Sequence, residues 1–481
     1  MRSNEKRTTN LRSKRREYPI LENIEVIDAG SKGKNIAKDG SLVILVENAI
    51  PGDVVDVKVF RKKKGLTEGK AIHFHKFSKD RVQPVCSHFD HCGGCSWQNM
   101  NYEKQLYFKQ KAVEEALKRI GKVEYPAITP IVGSARTEYY RNRLDYAFSN
   151  KRWLTPGEMT EGDRREEPGL GFHVSGKFDK VLDISRCYLQ ADPSNQIRLA
   201  VREFALQNDY PFFDLREQNG SLRSLIIRTT GGSDLMIILI FYEESEEKIT
   251  KMMEFIKGRF PSITSLYYVI NPKGNDSVYD LEHHLYSGNS YLEETINGIR
   301  YRIGPKSFFQ TNSFQAVMLY NLALKMADLK PDDVVYDLYT GVGSIALQAA
   351  SKCKSVIGIE TVTEAIEYAK LNALENNIEN AQFFAGDVRD TLNDEFIEAH
   401  GKPDVIITDP PRIGMDASVV KKILEIAPQK IVYVSCNPAT QARDLELLKE
   451  KYIITVVQPV DLFPHTYHVE NIVVLVLRSG Y

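Results

Sequence analysis

The chain lacks any long apolar run. Its longest, LMIILIFY at 235–242, falls far short of the roughly 20 residues a membrane-spanning helix needs. No secretory leader is read at its start. Arg2, Lys6, Arg7, Arg12, Lys14, Arg15 and Arg16 crowd the first sixteen residues, and no apolar segment follows them. Net charge is almost absent, with 63 basic against 64 acidic residues. That excludes a uniformly basic nucleic-acid binder but not local basic patches. No internal repeat is evident. Cysteine is scarce, at six in 481 residues, and a cytoplasmic protein is expected.

What is present is a soluble composition, 42% hydrophobic and 26% charged, over a length that suits two to four domains. Residues 1–16 read as a basic, disordered tail able to grip phosphates. Residues 17–77 carry ILENIEVIDAG, SLVILVENAIPGDVVDVKVF and KAIHFHKF. These are short strands parted by Gly, Asp and Asn turns, the pattern of a small OB-like β-barrel. Its basic stretch at 61–64 belongs at a strand end or loop. Residues 78–98 are cysteine-rich. In 99–122, Leu106, Ala112, Val113, Ala116, Leu117 and Ile120 recur at helical spacing, and Gly121 suits the stop. From 123 to 300 the pattern is mostly β, with helices near 192–208 and 244–259 and a charged loop at 155–169. From 301 to 481, VVYDLYTG, SVIGIE, AQFFAGD, DVIITDPP and KIVYVSC are five apolar runs alternating with helical stretches. That predicts a doubly wound, Rossmann-like α/β domain, and the tail adds two strands, the last antiparallel.

DLYTGVGSIAL joins the first of these strands to its helix, and Glu360 ends the next strand. Gly341 and Gly343 permit a tight turn, and a carboxylate at Glu360 can hold ribose hydroxyls. GVGSIA also satisfies the dinucleotide pattern, so a nicotinamide enzyme stays open on this motif. Two features tilt toward S-adenosylmethionine. Asp337 beside the loop suits an ammonium group better than a pyrophosphate, and TDPPR forms a rigid lip at a strand end.

Asp409, Cys436 and Glu470 fall at the ends of successive strands, where ligands bind in such sheets. A thiol and a carboxylate beside a methyl donor suit methylation at carbon. A pyrimidine C5 is a poor nucleophile until a thiolate adds at C6, and a base must then remove the C5 proton. Cys436 would be the nucleophile and Glu470 the base. A lone strand-end cysteine is more often core, and Cys353 in ASKCKS is read that way.

SCNPATQARD, DPPRIG, FPHTYHVE and KSFFQTN resemble motifs of the RNA uracil-5-methyltransferase family, the RumA/TrmA type, in order and spacing from about residue 18 to the end. The resemblance implies Cys436 as nucleophile, Glu470 as general base, and Gln310, Tyr339, Glu360 and Asp409 as cofactor-binding positions. Many relatives carry cysteine where this chain has Thr340, a position the chemistry does not need.

Cys86-x5-Cys92-x2-Cys95, with Cys187 as an available fourth ligand, leaves zinc open on spacing alone, and His88 or His91 could assist. Four thiolates also suit a [4Fe–4S] cluster. CGGCSWQNMNYEKQL resembles the iron–sulfur segment of the RumA branch, and the barrel resembles its TRAM domain. Barrel plus cluster implies large-subunit (23S) ribosomal RNA as partner, with a flipped-out uridine; a monomer is expected, although the sequence itself does not give the oligomeric state. Phe308, Phe309 and Tyr467 are candidate pocket walls. A transfer-RNA enzyme, an enzyme serving two rRNA uridines and a non-catalytic RNA-binding assembly factor are the rival readings.

Overall fold

The computed structural model describes residues 18–30, 33–63, 65–155, 157–159 and 167–480. The expected basic tail, Lys64 and the middle of the charged loop lie outside the described residues. The chain forms two compact units that meet in sequence at Val82 and Gln83.

In the first unit, strands Ile20–Ala29, Asn35–Asp39, Leu42–Glu47, Val54–Lys63 and Leu66–Lys76 close a barrel. The period of two does this. Val55, Val57 and Val59 point inward and are buried, while Lys58 and Phe60 point outward. Spatially the fifth strand lies between the third and fourth, which makes the third and fifth a parallel pair. Asp53 is fully buried and accepts from the amides of Ile50 and Ser78 and from Arg81, at 2.7, 2.8 and 2.8 Å. It pins the segment leaving the barrel.

The second unit contains two seven-stranded sheets. The first runs in spatial order His284–Gly288, Ser265–Ile270, Leu235–Phe241, Leu222–Thr229, Arg143–Ser149, Gly169–His173 and Val181–Asp183. Helices Ser194–Gln207 and Glu246–Arg259 lie where expected, and Phe204 stacks on Phe255 between them at 3.9 Å.

The second sheet runs Ala381–Ala385, Ser355–Glu360, Val334–Leu338, Val405–Thr408, Lys430–Ser435, Glu470–Leu477 and Tyr452–Val460. The first five are parallel, and Glu470–Leu477 is antiparallel to both its neighbours. Strands covered on both faces read as continuous apolar runs, and in Lys430–Ser435 all but the first residue are buried. Chain order reverses between Val334–Leu338 and Val405–Thr408, the switch point at which open α/β sheets bind ligands.

Helix Tyr102–Ala116 packs on this sheet's outer helix Pro438–Leu448 and passes into a π-turn, Leu117–Gly121. The left-handed residue that ends it is Lys122, at φ 45°. Gly121 is glycine for another reason: a Cβ there would stand 3.1 Å from the Ala442 carbonyl oxygen.

Candidate active site and cysteine cavity

The parallel strands run the same way, so their C-terminal ends share one edge. Val334–Leu338 delivers Tyr339 and Gly341, Ser355–Glu360 ends in Glu360, Val405–Thr408 leads into Asp409, and Lys430–Ser435 leads into Cys436. Glu470–Leu477 runs oppositely, so its first residue reaches that edge too. These side chains, with Gln310, line one cavity of about 890 Å³. The nucleophile, base and cofactor positions expected from the sequence therefore converge.

The loop after Val334–Leu338 is held from several sides. Tyr339 takes a left-handed φ of 66°, which a non-glycine residue adopts only where its surroundings fix it. Here the amides of Tyr339 and Thr340 both donate to the Ile359 carbonyl, at 2.9 and 3.0 Å. Glu360 accepts from the amides of Gly341 and Val362, at 3.1 and 3.0 Å. Asp337 uses Oδ2 to accept the Thr340 hydroxyl (2.6 Å) and the Ala346 amide (3.1 Å). It supports the loop as well as lining the cavity, and Thr340 earns its hydroxyl. Burial pushes the Asp337 carboxyl up to about 7, against those two bonds.

Gln310 reaches the cavity from the segment after the hairpin Leu292–Ile296/Ile299–Ile303. Asn142, just before strand Arg143–Ser149, donates to the Gln310 carbonyl at 2.9 Å and to the Ser313 hydroxyl at 2.8 Å. Gln310 Nε2 lies 3.5 Å from Asp409 Oδ2, at the edge of hydrogen-bond range. Burial, then the charge of Asp337, pushes Asp409 up to about 7.

SCNPATQ is a strand end converted into a helix start. Cys436 sits on the lip. Asn437 caps the helix by accepting from the Ala439 amide at 3.1 Å, and Pro438 occupies the first turn, where no amide is needed. Asn437 Nδ2 and the Thr440 hydroxyl donate to the Arg412 carbonyl at 2.9 and 3.2 Å, stitching this turn to the DPPR loop. Burial pushes the Cys436 thiol up to about 12; Glu470 and Asp409 add to this and Arg412 opposes it. Glu470 is 2% exposed, and its Oε2 has no hydrogen-bond partner. Burial, then Asp409, raises its carboxyl well above the usual range, and Arg412 again opposes. A buried orphan acceptor is costly unless a ligand satisfies it.

The loop preceding Glu470 is anchored to helix Tyr102–Ala116. Asp461 accepts from Lys109 at 2.6 Å and from the Tyr102 hydroxyl at 2.8 Å, and neither member of the ion pair is exposed. Gln105 accepts from the His465 amide at 2.8 Å, while the amides of Ser96 and Trp97 donate to the His465 carbonyl at 2.8 and 3.0 Å. The cysteine-rich segment is thus bonded directly to an active-site loop. Sequence spacing carried no sign of these contacts, which span over 350 residues.

Cys86, Cys92, Cys95 and Cys187 are free and line a second cavity, of about 430 Å³. Burial raises all four thiols, Cys92 to about 12. Asn195, on helix Ser194–Gln207, accepts from the Cys187 amide at 2.7 Å and fixes the distant fourth cysteine. Gln98 Nε2 and the Gly94 amide donate to the sulfurs of Cys95 and Cys92, each at 3.4 Å. His88 is occupied otherwise: its Nε2 takes the Ser185 amide at 2.9 Å. Among the described residues, no three His, Cys, Asp or Glu side chains are drawn together as a single metal ion requires.

Cys353 is buried core, its Sγ 3.3 Å from the Ala349 carbonyl. Phe309 is core as well, whereas Phe308 is 63% exposed. Asp387, Arg389, Arg141 and His468 also line the larger cavity. The sequence reading passed over them, although AGD places an acid just past a strand end. Among the described residues no helix is long and apolar enough to cross a membrane.

A sequence model of the tRNA (Uracil-5-)-methyltransferase family matches residues 229–478. A Bacteroides thetaiotaomicron protein named as an uncharacterized RNA methyltransferase is 53% identical, over 93% of this chain and all of its own length. A Porphyromonas gingivalis protein of the same description is 50% identical over 95% of this chain and all of its own. The crystal structure of Pyrococcus abyssi tRNA (uracil-54, C5)-methyltransferase in complex with S-adenosyl-L-homocysteine superposes with a TM-score of 0.73 at 29% identity, covering 94% of this chain and 99% of that one. With the motifs, the fold and these likenesses in agreement, the chain belongs to the S-adenosylmethionine-dependent RNA (uracil-5-)-methyltransferase family.

Proposed function

We propose that this protein methylates C5 of a uridine in 23S ribosomal RNA, in the cytoplasm, as a monomer. The observation that carries the chemistry is the meeting of Cys436 and the unpartnered, buried Glu470 in one cavity. Gln310, Tyr339, Glu360 and Asp409 are the residues to hold S-adenosylmethionine. They fit it: a glycine loop, two carboxylates and an amide face a cavity large enough for donor and base together. Bound there, S-adenosylmethionine supplies an electrophilic methyl group. Cys436 Sγ adds to uridine C6, which makes C5 nucleophilic. After C5 is methylated, Glu470 takes the C5 proton, the C5–C6 double bond re-forms and Cys436 leaves as thiolate.

Cys86, Cys92, Cys95 and Cys187 are the residues to hold a [4Fe–4S] cluster. Four thiols around one cavity, two of them already accepting N–H···S bonds, suit it, and His88 is not free to substitute. Functionally the chain divides into the tail 1–16, barrel 17–77, cluster segment 78–98, packing helix 99–122, RNA-binding domain 123–300 and methyltransferase domain 301–481.

Support for ribosomal RNA comes from the resemblance of the barrel and CGGCSWQNMNYEKQL to the ribosomal branch. A transfer-RNA substrate is the second reading, favoured by the Pyrococcus enzyme, whose likeness spans nearly the whole chain. RNA containing 5-fluorouridine tests the mechanism common to both. Fluorine at C5 cannot leave as a proton does, so the protein should stay covalently attached to RNA in a denaturing gel. Cys436→Ala should abolish that complex, and a complex that persists in the variant would refute the assignment.

A further inference from the structure

A thiolate is a poor fit to the charges of the catalytic cavity. Six carboxylates line it: Asp337, Glu360, Asp387, Asp409, Asp416 and Glu470. Three cations stand against them, Arg141, Arg389 and Arg412. Arg389 is engaged elsewhere, 3.1 Å from Asp390 and 3.6 Å from Asp387. Arg141 is turned away, its Nε donating to the Arg143 carbonyl at 3.3 Å. Arg412 is different. Its guanidinium makes no hydrogen bond and no ion pair among the described residues. Its charge bears on Cys436, Glu470 and His468 together.

The backbone holds Arg412 beside Cys436. Pro410 and Pro411 stiffen the approach, and the Gly414 amide donates to the Pro411 carbonyl at 2.8 Å, closing a turn around Arg412 and Ile413. Gly414 takes φ 79°, and a Cβ there would lie 2.7 Å from the Arg443 and Asp444 side chains. The Arg412 carbonyl accepts from Asn437, the residue after Cys436, and from Thr440. Asp444, on the helix that follows Cys436, accepts from the Met415 amide at 2.9 Å. The arginine loop and the cysteine turn are therefore one bolted unit.

We propose that Arg412 is the cation that holds Cys436 as thiolate for attack on C6. The inference rests on the uridine-methylating reading above and deepens it. The thiol first gives its proton to solvent. The Sγ–C6 bond then forms as the C5–C6 π bond opens, and the electron pair passes to C5 and O4. Arg412 is exposed before RNA arrives. A base entering the cavity displaces water from it, and the charge pair strengthens as the local dielectric falls. Asp409, from the same loop as Arg412, and Glu470, from the antiparallel strand, oppose the thiolate. His468 does not help above pH 6, because burial and then Arg412 pull its imidazole down to about 4. The phenols of Tyr320 and Tyr339 are pushed up by burial and stay neutral.

The test uses the full chain, purified anaerobically, as wild type, Arg412→Lys and Arg412→Gln. An exposed side chain without partners can be replaced with the fold intact. Labelled methyl transfer into undermethylated total RNA first marks the uridine. A short RNA spanning it then carries 5-fluorouridine at that position. The rate of forming the denaturant-resistant adduct is read at saturating RNA and S-adenosylmethionine from pH 6 to 9, and RNA affinity by fluorescence anisotropy. An opposite charge at close range lowers a pKa by about 1–3 units. Arg412→Gln should therefore form adduct at least about tenfold more slowly at pH 7, with its rising limb displaced to higher pH. Arg412→Lys, which keeps the charge, should recover most of the rate and the position of the limb. Alkylation of Cys436 by iodoacetamide without RNA, followed by mass spectrometry, should slow in Arg412→Gln in the same sense. An unmoved limb in Arg412→Gln, with weaker RNA binding and a flatter salt dependence, would make Arg412 a phosphate contact and overturn the proposal. A rate lowered equally at every pH would overturn it too. If the wild-type protein labels no RNA and forms no adduct, the methylation reading fails, and the role of Arg412 with it.

Discussion

In the proposed mechanism Cys436 and Glu470 must each be ionised to act, yet each is buried in surroundings that favour its protonated form. The sign of the pH dependence follows. Both raised groups lose a proton to become competent, so kcat/KM rises with pH through the neutral range rather than falling. Initial rates between pH 6 and 9 check this, and a profile that declines across that range contradicts it. Removing the base leaves addition and methylation possible but blocks release. Glu470→Gln should therefore slow turnover by about 10²–10⁴-fold and accumulate a methylated, covalent RNA–protein complex. Cys436→Ala should form no complex and lose at least about 10³-fold in rate. Product analysis on denaturing gels separates the two variants, and a Glu470→Gln protein that turns over without accumulating adduct would remove Glu470 from its role.

Much at the level of elements was legible because periodicity reports burial. The five parallel strands, the helix from Tyr102 and the final antiparallel strand all carry their pattern locally. The barrel strands did too, since Val55, Val57 and Val59 alternate with outward residues. Register and neighbour choice did not. Nothing in IVVLVL announces that Glu470–Leu477 lies between Lys430–Ser435 and Tyr452–Val460. Residues that the fold brings to one cavity and that sit in short motifs, such as Cys436 and Glu360, could be named from the sequence as candidates. Arg141, which lines the same cavity, and Lys109, which pairs with Asp461, could not, because their surroundings are assembled only by the fold. Lys109 gives the direct test of that assembly. Its ammonium is pulled down by burial and supported by Asp461. Lys109→Met leaves the Asp461 carboxylate buried without its cation, a loss of about 3–5 kcal/mol. Urea unfolding should show it, and adding Asp461→Asn to the same chain should recover part. A Lys109→Met protein of unaltered stability would show that this pair does not hold the loop.

Over the whole molecule, the barrel and the remainder are separate compact units with their own cores. Deleting residues 1–82 should leave S-adenosylhomocysteine affinity unchanged and lower RNA affinity at least tenfold, roughly the weight of one or two lost phosphate contacts. Calorimetry and anisotropy measure the two, and unchanged RNA affinity would remove the barrel from substrate binding. The cysteine segment should make anaerobically purified protein brown, with iron and sulfide in equal amounts. Stripping the iron should loosen the loop that Ser96 and Trp97 hold through His465, seen as faster hydrogen exchange at 461–468. Stoichiometric zinc in a colourless protein would contradict the cluster.

The most direct measurement is methyl transfer from labelled S-adenosylmethionine into undermethylated total RNA, with the labelled nucleotide mapped by mass spectrometry and Cys436→Ala run alongside. The account predicts 5-methyluridine in 23S ribosomal RNA, absent with the variant. The same nucleotide in transfer RNA would keep the chemistry and overturn the substrate. No labelled uridine, from protein with an intact cluster and bound donor, would contradict the account and favour an RNA-binding assembly role.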